Sequence, residues 1–218
     1  MLDPLRLSVA LVPLAAYALV LGVLNLGRRT TVVSGGRDLA ALAVGVSGLV
    51  LVGPIELLMP RTALTVYGMY AWPMVLIIYS LCVSLTSLLL KPRLVLYNAC
   101  SLVQLRRTMA AVVKDLDVDA RWAGSTVSMP RLHVELVVEG HRLLRTISLT
   151  ATHDRQSIAG WQMLHAALAK RLPVPARRSS VWGIAFVFAS LAAVVVIGWQ
   201  MFGRPHEVAQ SLDDLLRW

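Results

Sequence analysis

The sequence predicts a multi-pass α-helical membrane protein, with four transmembrane helices and a small α+β cytoplasmic domain inserted between the third and the fourth. Three observations lead there. Hydrophobic residues make up 57% of the 218 residues and charged residues only 15%, against roughly a quarter charged in an ordinary soluble domain. The apolar residues fall in long blocks rather than at amphipathic spacing, which separates a membrane segment from a buried core element. The basic residues are distributed unevenly between the connecting segments, in the way that sets membrane orientation.

The first block, residues 5–26, is interrupted only by Arg6 and Asn25. A helix needs roughly 20 residues at about 1.5 Å each to cross the hydrocarbon, and this block supplies them. Ala16-Tyr17-Ala18 has the small-x-small form of a signal-peptide cleavage site. Apolar residues continue past it, however, and Arg28 and Arg29 follow the block instead of preceding it, so a retained span is the reading. The second block covers 39–59, the third 62–90 and the fourth 181–203, within a membrane region of 1–90 and a return span. The third is longer than a crossing requires, and its Trp72-Pro73 step predicts a kink. Trp182 and Trp199 sit near opposite ends of the fourth block as interfacial anchors, and Tyr67, Tyr70 and Trp72 mark one end of the third.

Four spans alternate in direction, so one choice of orientation fixes every loop. With the N-terminus outside, seventeen basic and seven acidic residues fall on the cytoplasmic side, and four basic and five acidic residues fall outside. The basic residues next to the span ends weigh most: Lys91 and Arg93 after the third, Arg177 and Arg178 before the fourth. The expected location is the plasma (inner) membrane with both termini outside. Arginine outnumbers lysine 18 to 3, as GC-rich codon usage would give, which points to a bacterial source.

Residues 91–175 read as the cytoplasmic domain, in the order β-α-β-β-β-α. Residues 93–98 form a short β-rich run. A helix follows, opened by a Ser101/Gln104 capping box, with Leu102, Leu105, Met109, Val112 and Leu116 on one stripe. Asp115, Asp117 and Asp119 mark its exit. Three strands are then expected at 121–129, 132–139 and 142–151. A two-residue turn at Gly140-His141 would set Val138 opposite Leu143 and Val134 opposite Ile147, giving one apolar face. A second helix over 154–172 carries Ile158, Trp161, Leu164, Leu168 and Leu172 before Pro173 stops it. The result is an antiparallel sheet with two helices on one face. Residues 176–180 link back to the membrane, and 204–218 read as an amphipathic helix on the outer surface.

Candidate chemistry is sparse. Glu56 is the only carboxylate inside an apolar block, and an intramembrane acid suggests an ion site, a proton relay or a polar contact between helices. Its place near the end of the second block, close to Arg61, favours an interfacial role. The five histidines show none of the spacings of metal sites, and His133 is expected to share a strand face with Glu135. Ser34-Gly35-Gly36 reads as a flexible turn between helices. No cofactor is indicated, and no nucleic-acid motif occurs. Lys91, Arg93, Lys170, Arg171, Arg177 and Arg178 cluster where the domain meets the bilayer, so anionic lipid headgroups are their expected partners as well as membrane topology.

The function expected from this pattern is a non-enzymatic membrane protein presenting an interaction domain: a scaffold or accessory subunit of a membrane complex that binds another membrane or cytoplasmic protein. Homo-oligomerisation is compatible with it. One alternative is a transport or channel subunit with Glu56, Asn25, Ser47, Ser84 and Gln200 along a polar path. Another is a membrane enzyme acting on lipid or glycan.

Overall fold

The computed structural model describes residues 4–27, 30–58, 70–98, 102–141, 146–172, 180–203, 205–206 and 208–209, of which 54–58, 71–72, 102 and 141 by backbone alone. In chain order the elements are α1 (Pro4–Leu26), β1 (Thr31–Ser34), α2 (Gly35–Leu58), α3 (Ala71–Leu89), β2 (Arg93–Tyr97), α4 (Leu102–Leu116), β3 (Arg121–Ala123), β4 (Thr126–Met129), β5 (Val134–His141), β6 (Thr146–Ala151), α5 (Ile158–Arg171) and α6 (Val181–Gly203). They form two compact units, one of Met1–Leu21, Ala40–Leu88 and Ala185–Trp218, the other of Gly22–Leu39 and Leu89–Ile184.

Among the described residues three helices are long and apolar enough to cross a membrane: α1, the stretch Gly35–Gly53 of α2, and α6. The third expected span is described only in part, as α3, whose segment Pro73–Leu89 is apolar but shorter. The expected kink at Pro73 falls in the first turn of this helix, where a missing N–H leaves no bond unmade.

Within the helical unit, most buried positions are small, Ile197 being the large exception. Ser8, Ala10, Ala15 and Ser190 are buried, as are Gly45 and Gly48. A β-carbon at Gly48 would overlap the carbonyl oxygen of Val9, and one at Gly45 would meet the Tyr17 side chain, so these glycines let α2 approach α1 closely. Hydroxyls in this unit bond to backbone carbonyls. Ser190 Oγ donates to Ala15 O at 2.8 Å between α6 and α1, and the Tyr79 hydroxyl to Ala43 O at 2.6 Å between α3 and α2. Burial raises the number of such local bonds that matter, because lipid offers no other acceptor.

The other unit is built on a six-stranded antiparallel sheet in the order β1-β2-β6-β5-β4-β3. Alternation along each strand sends one set of side chains to a single core. Leu94 and Leu96 of β2, Ile147, Leu149 and Ala151 of β6, Val134, Leu136 and Val138 of β5, and Val127 and Met129 of β4 all belong to it. Both helices cover this face. Leu105, Met109 and Val112 of the expected α4 stripe are buried, joined by Val113, and Trp161, Leu164 and Leu168 do the same for α5. Ile158 is an exception at 72% exposed. Gly160 lets α5 lie directly on the start of β5, since a β-carbon there would come within 2.5 Å of Leu132 O.

Several local expectations are corrected. Residues 121–129 form two strands, β3 and β4, joined at Gly124-Ser125, where Gly124 takes a φ of +63°. The domain therefore reads β-α-β-β-β-β-α. The Gly-X order that suits a two-residue turn occurs at this glycine and not at Gly140. Gly140 and His141 remain in β5, opposite Ile147 and Thr146, and Val138 pairs with Leu149. The expected register differs from this by six residues. An even shift keeps every side chain on its face, so the apolar pattern specified the buried face correctly while the misplaced turn set the wrong partners.

Two further corrections concern ends of elements. α5 begins at Ile158 rather than near 154, because Ser157 accepts from Gly160 N as its N-cap. Ser34-Gly35-Gly36 is no loose turn: Ser34 ends β1 and Gly35 opens α2. The capping residue Ser101, Cys100, the linker 176–179 and most of the C-terminal segment lie outside the described residues.

Candidate interaction surface

The sheet is fastened at its β1–β2 edge by polar contacts that begin with strand composition. Thr31, Val32 and Val33 are β-branched, suited to a pleated surface, and pair with Tyr97, Leu96 and Val95. On the sheet face opposite the core, Arg93 and Tyr97 point to Asp38 in the first turn of α2. Arg93 donates to Asp38 Oδ2 at 2.7 Å, and the Tyr97 hydroxyl donates to Oδ1. A carboxylate in the first helical turn is also favoured by the helix dipole. Asn98, with φ +51°, donates to Gly27 O at 2.5 Å and accepts at its own carbonyl from Thr30.

Two other side chains close gaps in the domain's backbone bonding. The Gln156 amide donates to Glu135 O at 2.6 Å and accepts from Glu135 N at 3.2 Å, standing in for a neighbouring strand, while its oxygen also accepts from Trp161 Nε1 at 2.9 Å. Asp117 is 1% exposed, and its carboxylate accepts from the backbone N–H of Asp119 and of Arg131. A buried carboxylate is tolerable when donors surround it in this way. Neither role was visible in the sequence: the acidic residues at 115, 117 and 119 had marked only a helix exit. His133 sits in a turn with φ +51° and not on the strand, and it is His153 that pairs with Glu135, at 3.4 Å.

The expected membrane-proximal cations separate into different settings. Lys91 reaches Thr152 O at 3.2 Å and Asp154 at 3.4 Å, an exposed pair of the kind that contributes about 0–1 kcal/mol. Arg93 is held by Asp38, as above. Arg171 pairs with Asp115, joining the C-terminal turn of α5 to that of α4. Lys170 stands exposed beside it. Arg177 and Arg178 lie outside the described residues, as does the side chain of Glu56 on the last turns of α2. Of the other polar span residues, Asn25 is buried, Ser47 bonds to Val44 O of its own helix, Ser84 is exposed and Gln200 is half-buried.

A groove of about 370 Å³ lies between α4 and α5. Val112 and Leu116 of α4 and Met163, Ala166 and Ala167 of α5 line it, together with Lys170 and the Asp115–Arg171 pair. Its lining is mainly apolar, a composition typical of recognition clefts. Sequence reading missed it because Met163 and Ala166 lie off the buried stripe of α5, where nothing in the spacing distinguishes a groove wall from solvated surface. Among the described residues no group of three or more His, Cys, Asp or Glu side chains could hold a metal. No protein-family model, curated protein or solved structure matches the chain.

Proposed function

We propose that the protein is a non-enzymatic membrane scaffold or accessory subunit: four spans in the plasma membrane, both termini outside, holding the sheet domain at the cytoplasmic face to bind a protein partner. The observation that carries this reading is the anchoring of the sheet. A strand drawn from the segment between the first two spans is part of the sheet, and Asp38 of α2 binds both Arg93 and Tyr97 of β2. These contacts make the segment between the first two spans a part of the sheet domain itself. Anionic headgroups fit the exposed Lys91 and Lys170 as secondary partners.

A transport role receives less support. The hydroxyls of Ser8, Ser47, Thr86 and Ser190 are occupied by helix carbonyls, and Ser84 is exposed among apolar neighbours. In sealed liposomes the purified protein is expected to pass no proton, sodium or potassium current above that of empty vesicles. A current abolished by Glu56→Gln would overturn the scaffold reading.

A further inference from the structure

We infer that the exposed face of α4 rests on the anionic headgroups of the bilayer that holds the spans. This surface is separate from any protein-binding role and depends only on the membrane placement of the chain. Charge, composition and reach lead to it.

Val103, Arg107, Ala110 and Lys114 recur at i, i+4, i+7 and i+11 on the exposed side of α4, with Arg106 beside them, while Leu105, Met109, Val112 and Val113 occupy the buried side. Among the described residues no carboxylate pairs with Arg106, Arg107 or Lys114. Asp115, next to Lys114 in sequence, is engaged by Arg171. The stripe is therefore uncompensated over about 12 Å of helix, from Arg106 to Lys114, and an anionic surface is its electrostatic complement.

Composition selects a lipid surface among anionic partners. The small Ala110 and Ala111 between the cations offer no projecting side chain for a specific fit, and the stripe carries no aromatic ring on which a base could stack. Long arginine stems and Val103, 64% exposed, suit a boundary that is apolar within and charged at its rim.

Reach points the same way. Asn98, just past β2, donates to Gly27 O, and Gly27 directly follows the last residue of α1. Leu102, which opens α4, is four residues further on, a separation that the chain spans in at most about 14 Å. Val103, Arg106 and Arg107 belong to the first two turns of that helix, so the cationic face begins close to where the first span leaves the hydrocarbon. Tethering keeps headgroups at high effective concentration there, an advantage that a soluble acidic protein or a nucleic acid lacks.

The test uses the full chain with Cys82 and Cys100 replaced by serine and Val103→Cys carrying a fluorophore, in nanodiscs that contain a lipid with a spin-labelled headgroup as quencher. The label is expected to be quenched in discs containing phosphatidylglycerol, and at least about twofold less in discs of phosphatidylcholine, because the attraction exists only where the surface is charged. High salt, or Arg106→Glu combined with Arg107→Glu, is expected to cause the same loss in the anionic discs. Arg106→Lys combined with Arg107→Lys is expected to retain the quenching. Both arginines are exposed, and circular dichroism of each double variant confirms folding.

Equal quenching in the two lipids, or quenching unchanged by the double charge reversal, would overturn the inference. So would quenching of a label at position 128 of β4 with none at 103, which would put another side of the domain on the lipid. A label response to added polyglutamate or single-stranded RNA in phosphatidylcholine discs, with no response to phosphatidylglycerol, would likewise overturn it and give this face a soluble partner.

Discussion

The two units of this chain hide opposite kinds of side chain. In the sheet unit the fully buried residues are large: Leu96, Leu105, Met109, Leu136 and Leu149 are all at 0% exposure. In the helical unit the buried residues are mostly alanine, serine and glycine, with Ile197 the large exception, while Leu19, Val44, Leu81, Phe188 and Val195 stand outward. Water would not sustain the second arrangement, because burying apolar area contributes about 25 cal/mol per Å² and would draw the large side chains inward. Lipid tails are as apolar as leucine and remove that drive, leaving close packing of small residues and hydroxyl-to-carbonyl bonds to hold helices together. One chain is thus packed for two solvents, and the same substitution has a different effect in each.

That contrast predicts unequal responses to truncation. Leu136→Ala is expected to destabilise the sheet unit by about 2–5 kcal/mol, read from denaturant unfolding in detergent micelles. Leu191→Ala, at a position 57% exposed in the helical unit, is expected to stay within about 0.5 kcal/mol. Similar losses at the two sites would break the contrast.

Enlarging a small residue reverses the comparison. Gly48→Val would force α2 away from the Val9 carbonyl and is expected to cost about 1–3 kcal/mol, visible as a lower midpoint in detergent-induced unfolding. Unchanged stability would mean that α1 and α2 do not pack closely at this glycine.

Polar satisfaction sharpens the comparison further. Gln156→Ala would leave the Glu135 N–H and the Trp161 indole N–H without their present partners, and Glu135 O with the Thr152 N–H alone. An effect of about 1–3 kcal/mol is expected, with faster hydrogen exchange at the Glu135 amide; exchange no faster than in the parent protein would deny the side chain its strand-like role. A smaller effect is expected for Ser190→Ala, about 0.6 kcal/mol, typical of a single hydrogen bond between membrane helices. A loss of several kcal/mol there would show that the helical unit depends on polar contacts as strongly as the sheet unit does.

What the sequence revealed follows from the range of the signals. The blocks of apolar residues, the stripe Leu105-Met109-Val112 and the stripe Trp161-Leu164-Leu168 are local patterns, and each states its element and its buried side directly. Alternation in 134–138 and 147–151 likewise specified the face. Register was not local: it depended on which glycine turned the chain, and Gly124 and Gly140 look alike in sequence. β1 was hidden for the same reason, since Val33 finds its partner Val95 only across the whole of α2 and α3. Gln156 and Asp117 act through bonds to backbone groups, which carry no residue-specific mark. The groove is the joint product of two helices, and neither helix alone encodes it.

The proposed placement has the sheet domain on the cytoplasmic side of a membrane. Labelling of an engineered cysteine tests it most directly: Val118→Cys, at a position 73% exposed, in a chain whose Cys82 and Cys100 are replaced by serine. A membrane-impermeant maleimide is predicted to react with position 118 only after the cells are permeabilised. Reaction in intact cells would contradict the account.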